Sequence, residues 1–153
     1  MNLLDATYNT ATSAVFAAGF PAFWMYSRLS GRHQRGLRER LGFVSPEARK
    51  RLSGAPRLWI HAVSLGEMRA AEAIVSALQQ LLPECSILVS TTTDHGFDQA
   101  RKSFGAEIPV VYAPVDTVFS VRKALKRVRP HALVFLETEI WPAWIAEARA
   151  LGI

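Results

Sequence analysis

From Arg57 onward the chain alternates between four short apolar runs and segments of helical periodicity, and this alternation limits the possible folds more than any other feature. The runs are "RLWIHAV" (57–63), "SILVSTT" (86–92), "VVYAPVD" (110–116) and "ALVFLE" (132–137). After the first, Ile74, Leu78 and Leu81 recur on one face of a helix expected from about Gly66 to Leu82 and stopped by Pro83. "DHGFDQARKSFG" predicts a short helix closed by Gly105, and a basic amphipathic helix is expected from Val118 to Val128, ahead of Pro130. "PAWIAEARALG" opens a last helix with Pro142 in its first turn, where the missing N–H has no partner to lose. Strands that are apolar along their whole length suit a sheet covered on both faces, and strand–helix alternation at this spacing implies parallel crossovers. The expected fold class is α/β, with a Rossmann-like parallel sheet over residues 57–153.

In such sheets ligands sit beyond the carboxyl ends of the strands, where the strand order reverses. That directs attention to "SLGE", "TTTDHG", "APVD" and "ETEIWP", each of which follows a run. In the first, Ser64-x-x-Glu67 ahead of a helix has the spacing of a capping box. Glu67 is also the single acid at that strand end, so helix cap and proton acceptor both stand as readings. His61 reads as a buried strand histidine, and Cys85, the only cysteine, as a buried thiol, since one cysteine supports neither an internal disulfide nor a zinc site. No G-x-G-x-x-G follows the first run and no G-x-x-x-x-G-K-[ST] occurs, which removes dinucleotide chemistry and P-loop hydrolysis. Glu137 and Glu139 lie on one side of a strand but have no further ligands beside them, so no metal is expected.

The net charge of +5 is concentrated: residues 28–57 carry nine Arg or Lys against Glu39 and Glu47, and the remaining chain is slightly acidic. Just before this block, residues 6–27 contain no charged side chain. That length suffices for a helix to cross a bilayer core, although Thr7, Asn9, Thr10, Thr12 and Ser13 are polar and Pro21 would kink it. A cleaved signal peptide fits less well, because its first residues should be basic and here hold only Asp5. Residues 1–30 are therefore expected to form an N-terminal membrane-anchor helix with its Arg-rich flank, 31–56, on the cytoplasmic side as a basic juxtamembrane segment. That flank would face anionic head groups, and its position beside an apolar stretch argues against nucleic acid as the partner.

Taken in order, "HAVSLGE", "LVSTTTDHG", "VYAPVD" and "LETEIWP" resemble the N-terminal half of 3-deoxy-D-manno-octulosonic acid (Kdo) transferases, membrane-anchored glycosyltransferases of lipopolysaccharide assembly. "HAVSLGE" together with "ETEIWP" is the specific part, and Asp94-His95 stands where relatives often have Pro-Thr. The resemblance implies a GT-B architecture with CMP-Kdo as donor and a tetraacyl lipid A precursor (lipid IVA) as acceptor. It implies no metal or other cofactor, and the cytoplasmic face of the inner membrane as the location. Glu67 would be the catalytic base. Ser64, Gly66, Glu137 and Glu139 would line the acceptor side, with Ser64 also capping the helix and Trp141 and Pro142 fixing their loop. Members of that family are longer, so a donor-binding half is expected outside this chain, which alone should be inactive. The competing expectation is a non-catalytic, membrane-tethered fragment that binds acceptor or a partner domain.

Overall fold

The computed structural model describes residues 7, 8, 10–12, 14, 15, 18, 19, 21, 22, 25, 35–136 and 141–153. The described positions between 7 and 25 are helical. Much of the segment expected to anchor the chain lies outside the described residues, and among those described no helix is long and apolar enough to cross a membrane.

Two short helices, α1 (Leu37–Arg40) and α2 (Pro46–Lys50), precede the alternating part. There follow β1 (Arg57–His61), α3 (Leu65–Leu81), β2 (Ser86–Thr91), α4 (Asp94–Phe104), β3 (Val110–Tyr112), α5 (Val118–Val128), β4 (Ala132–Phe135) and α6 (Pro142–Leu151). The four strands form one sheet in the order β3-β2-β1-β4, with every pair parallel. β1 thus lies between β2 and β4: the chain builds outward from it in one direction as far as β3, then crosses to its other side. The β1/β4 boundary is the switch point of a Rossmann-like half.

β3 is shorter than its apolar run suggested. Pro109 and Pro114 flank it, and proline has no N–H to donate to a ladder. Three of the four helices of the alternating part carry their own cap: Ser64, Thr93 and Thr117 each accept a backbone N–H three residues on, capping α3, α4 and α5.

Successive strand residues point to opposite faces, and each face has its own core. Trp59, Leu88 and Val111 pack with Val121, Leu125, Val128 and Trp144 of α5 and α6, the two indoles meeting edge to face at 4.9 Å. Val44, Ala48 and Leu52, from the segment first read as juxtamembrane, belong to this same cluster. On the other face Ile60, Ile87, Val89 and Val110 pack with Met68, Ala71 and Val75 of α3 and with Ala100 and Phe104 of α4. Full burial of one such aliphatic side chain stabilises the fold by roughly 1.5–3 kcal/mol. The stripe of α3 that meets the sheet runs Met68, Ala71, Val75, Leu78, with Ile74 beside it. Leu81, expected on that face, is instead 76% exposed in the final turn.

Candidate active site

β1 ends at His61, and the next six residues build the start of α3. Ser64 adopts an extended conformation (φ −88°, ψ 165°), and its Oγ accepts the Glu67 N–H at 3.1 Å. Glu67 reaches back, and its Oε2 accepts the N–H of Val63 at 2.7 Å. This is a capping box displaced by one residue, because the reciprocal bond falls on the residue before the cap. Ser64, Leu65 and Gly66 are exposed, whereas Glu67 is 4% exposed. Its side chain lies in the first turn of α3, among the backbone N–H groups that open the helix. One oxygen is held by Val63, so the carboxylate has a fixed direction at the mouth of the first strand–helix turn. A Cβ added at Gly66 would meet only Ser64 Oγ, at 3.8 Å. Nothing in the described fold requires a glycine there, and the space beside it is open.

Beneath this turn lies a buried polar knot. Ser90 Oγ accepts the Trp59 indole N–H at 2.8 Å and lies 2.9 Å from His61 Nδ1. The His61 ring is 2% exposed and packs 5.7–5.9 Å from the rings of Phe135, Trp141 and Trp144. Its carbonyl accepts the Leu136 N–H, which extends the β1–β4 ladder one step past the strand. His61 is therefore the buried strand histidine expected, placed at the end of β1 opposite Phe135 of β4. Glu137 and Glu139 lie outside the described residues. Trp141 stands at the N-cap of α6 without a side-chain cap, and Pro142 occupies the first turn. The missing cap comes from elsewhere: Asp116, after β3, accepts the Trp144 N–H on Oδ1 at 3.2 Å and the Tyr8 hydroxyl on Oδ2 at 3.0 Å. Burial, the largest influence, raises the Asp116 carboxyl above its ordinary value.

A second group ties α1 to the ends of β2 and β3. Glu39 Oε2 accepts the Tyr112 N–H at 2.8 Å, and Arg40 donates to the Thr92 carbonyl at 2.7 Å with its guanidinium 4.4 Å from the Tyr112 ring centre. The Tyr112 hydroxyl donates to Asp94 Oδ1 at 2.7 Å, and its ring stacks on Phe97 at 4.5 Å. Desolvation first, and then the Asp94 bond, push the Tyr112 phenol well above its usual range. Burial likewise raises Glu39, against the lowering influence of the Tyr112 N–H and Arg40. Among the described residues no three His, Cys, Asp or Glu side chains converge on a point that would hold a metal ion.

A family model described as 3-deoxy-D-manno-octulosonic-acid transferase (kdotransferase) matches residues 35–153, the stretch that forms this sheet, its helices and the α1 brace. The chain belongs to the Kdo transferase family. A Haemophilus influenzae 3-deoxy-D-manno-octulosonic acid transferase is 35% identical over 113 residues, which is 74% of this chain and 26% of that protein. The Bordetella pertussis protein of the same name is 33% identical over 142 residues, 87% of this chain and 32% of its own length. A bifunctional glycosyltransferase/methyltransferase of Fusobacterium nucleatum is 35% identical over 92 residues, 59% of this chain and 14% of its own. The chain thus spans about a quarter to a third of the length of the two Kdo transferases.

Within this member of the Kdo transferase family, the sequence motifs map to the strand ends: "SLGE" starts α3, "TTTDHG" starts α4, and "APVD" carries the trans cap Asp116. Glu39, Arg40, Tyr112 and Asp116 were missed as site-supporting residues, because their partners lie 52 or more residues away or, for Asp116, on a different element. The available signal was Glu39 itself, one of only two acids in a block of nine cations.

Proposed function

We propose that this chain is the acceptor-side half of a glycosyltransferase that moves Kdo from CMP-Kdo to lipid IVA at the cytoplasmic face of the inner membrane, with Glu67 as the base. The acceptor hydroxyl oxygen bonds to the anomeric carbon of Kdo as the bond from that carbon to the CMP phosphate breaks. The hydroxyl proton passes to Glu67, and CMP leaves as the anion. Ser64 and Gly66 line the acceptor side of the first turn, and Glu137 and Glu139 contribute to binding of the acceptor. Most of the donor is held by a C-terminal half beyond this chain.

The observation that carries the reading is the placement of Glu67: an oriented, largely buried carboxylate at the start of α3, next to the β1/β4 switch point. The test is a fusion of this chain to the C-terminal half of the Haemophilus influenzae relative, assayed for transfer of labelled Kdo from CMP-Kdo to lipid IVA. Glu67→Gln keeps an acceptor for the Val63 N–H but cannot take the proton, so the fusion should lose about 10²–10⁴ in rate. Its stability should change by no more than about 1 kcal/mol, the net scale of one hydrogen bond. Near-normal turnover by the Gln variant would leave Glu67 as a helix cap only.

A further inference from the structure

The basic block read from the sequence as facing lipid is partly engaged by groups of the fold itself. Arg35 pairs with Asp98, Arg40 holds the Thr92 carbonyl and Arg57 holds the Val128 carbonyl. A different cationic surface is left facing outward. α5 carries Arg122, Lys123, Lys126 and Arg127 and no acidic residue. Arg122 is occupied by a two-pronged contact with Glu147, at 2.6 and 2.8 Å. The other three share their face with two aromatic rings that folding covers only in part: Phe119 is 63% exposed and Phe43 37%. Lys123 Nζ lies 3.7 Å from the centre of each ring, and the guanidinium groups of Arg127 and Arg38 lie 5.2 and 5.9 Å from that of Phe43. A shallow concavity of about 520 Å³ along Phe119, Lys123, Lys126 and Arg127 completes the patch.

Cations alone would suit any anionic partner. Phenyl rings held outward among them suit a partner that is anionic at its surface and apolar just beneath, which describes the interface of a charged bilayer. Position agrees, because the Tyr8 hydroxyl bonds to Asp116, two residues before α5 begins. Tyr8, which belongs to the uncharged N-terminal stretch, therefore meets the domain near the end of α5 that bears Phe119. We propose that this face of α5, with Phe43 and Arg38, rests on the anionic lipid head groups of the membrane. The inference takes its partner from the membrane location proposed above.

The test uses the whole chain and two vesicle types, phosphatidylcholine alone and phosphatidylcholine with about a third phosphatidylglycerol, in a sedimentation binding assay without turnover. Replacing Lys123, Lys126 and Arg127 by Gln should weaken binding to the anionic vesicles about a hundredfold, several-fold for each cation near the surface. The same replacement of the exposed Arg49, Lys50 and Arg51 on and just after α2 removes equal charge from outside the proposed contact face and should change it less than threefold, because the attraction of the head groups falls off within about a Debye length. Phe119→Ser should weaken binding several-fold with every charge retained. Wild-type affinity in the α5 triple variant, or equal losses in the two triple variants, would overturn the proposal. So would loss of duplex DNA binding by the α5 variant with vesicle binding intact. Because no sugar transfer is measured, failure here leaves the role of Glu67 untouched, and failure of the Glu67 test leaves this surface untouched.

Discussion

Gly36→Ala is expected to be among the most damaging single-methyl changes in this fold. Gly36 precedes α1 in the left-handed region (φ 67°), and a Cβ there would lie 1.9 Å from Tyr112 Cδ2 and within 2.5 Å of two more ring carbons. The ring cannot withdraw easily. Tyr112 is 2% exposed, stacked on Phe97, covered by the Arg40 guanidinium and tied through its hydroxyl to Asp94. The backbone must therefore move by about 1.5 Å to restore ordinary contact, and such overpacking costs typically about 1–3 kcal/mol. The left-handed conformation adds roughly 1–2 kcal/mol for a residue with a Cβ. The expected loss is about 2–5 kcal/mol, out of a domain stability of about 5–15 kcal/mol. In urea, followed by tryptophan fluorescence, that is a midpoint shift of about 1–2.5 M at a slope of roughly 2 kcal/mol/M. Gly152→Ala is the control, since Gly152 is also left-handed (φ 74°) but a Cβ there meets nothing within 4 Å. It should show only the backbone part, no more than about 2 kcal/mol. If Gly36→Ala shifts the midpoint no further than Gly152→Ala, the packing of α1 against Tyr112 is not what fixes this brace.

Two further outcomes follow from the half-buried carboxylates Glu39 and Asp116. Burial holds Glu39 above its ordinary 4.5, so between the unfolded and folded values the native state binds more protons. Its contribution is fully present below the unfolded value and is lost as pH rises through the folded one. Glu39→Gln keeps an acceptor for the Tyr112 N–H and should flatten that decline in urea midpoints measured from pH 4.5 upward; an unchanged slope would remove Glu39 as its source. Asp116→Ala should cost about 0.5–2 kcal/mol as the loss of a helix cap, and hydrogen exchange should quicken in the first turn of α6 while the α3 amides stay as protected as in the wild type.

The order of elements was legible because it rests on short-range chemistry. Apolar runs, cap residues such as Ser64, Thr93 and Thr117, and the stops at Gly105 and Pro130 act within a few residues, so the sequence displays them directly. Ser64 and Glu67 were legible for the same reason: both act across a single helical turn. The finer bounds were less so, since the length of β3 depends on Pro109 and Pro114 and on which β2 residues stand opposite it.

What only the tertiary structure decided is everything that joins distant segments. Periodicity announces four buried strands but cannot say that β1 lies between β2 and β4, because sheet order is set by which faces the crossover helices bury. That order puts the Glu67 turn beside the exit of β4. It also turned a charge run into a brace, with Glu39 and Arg40 serving strand ends 73 and 52 residues away, and made Asp116 the cap of a helix 28 residues on. The charges of α5 remained on the surface because its apolar side, Val121, Leu125 and Val128, filled the core. An amphipathic helix can bury only one face, and the sequence shows which residues share a face while the packed sheet determines what each face meets.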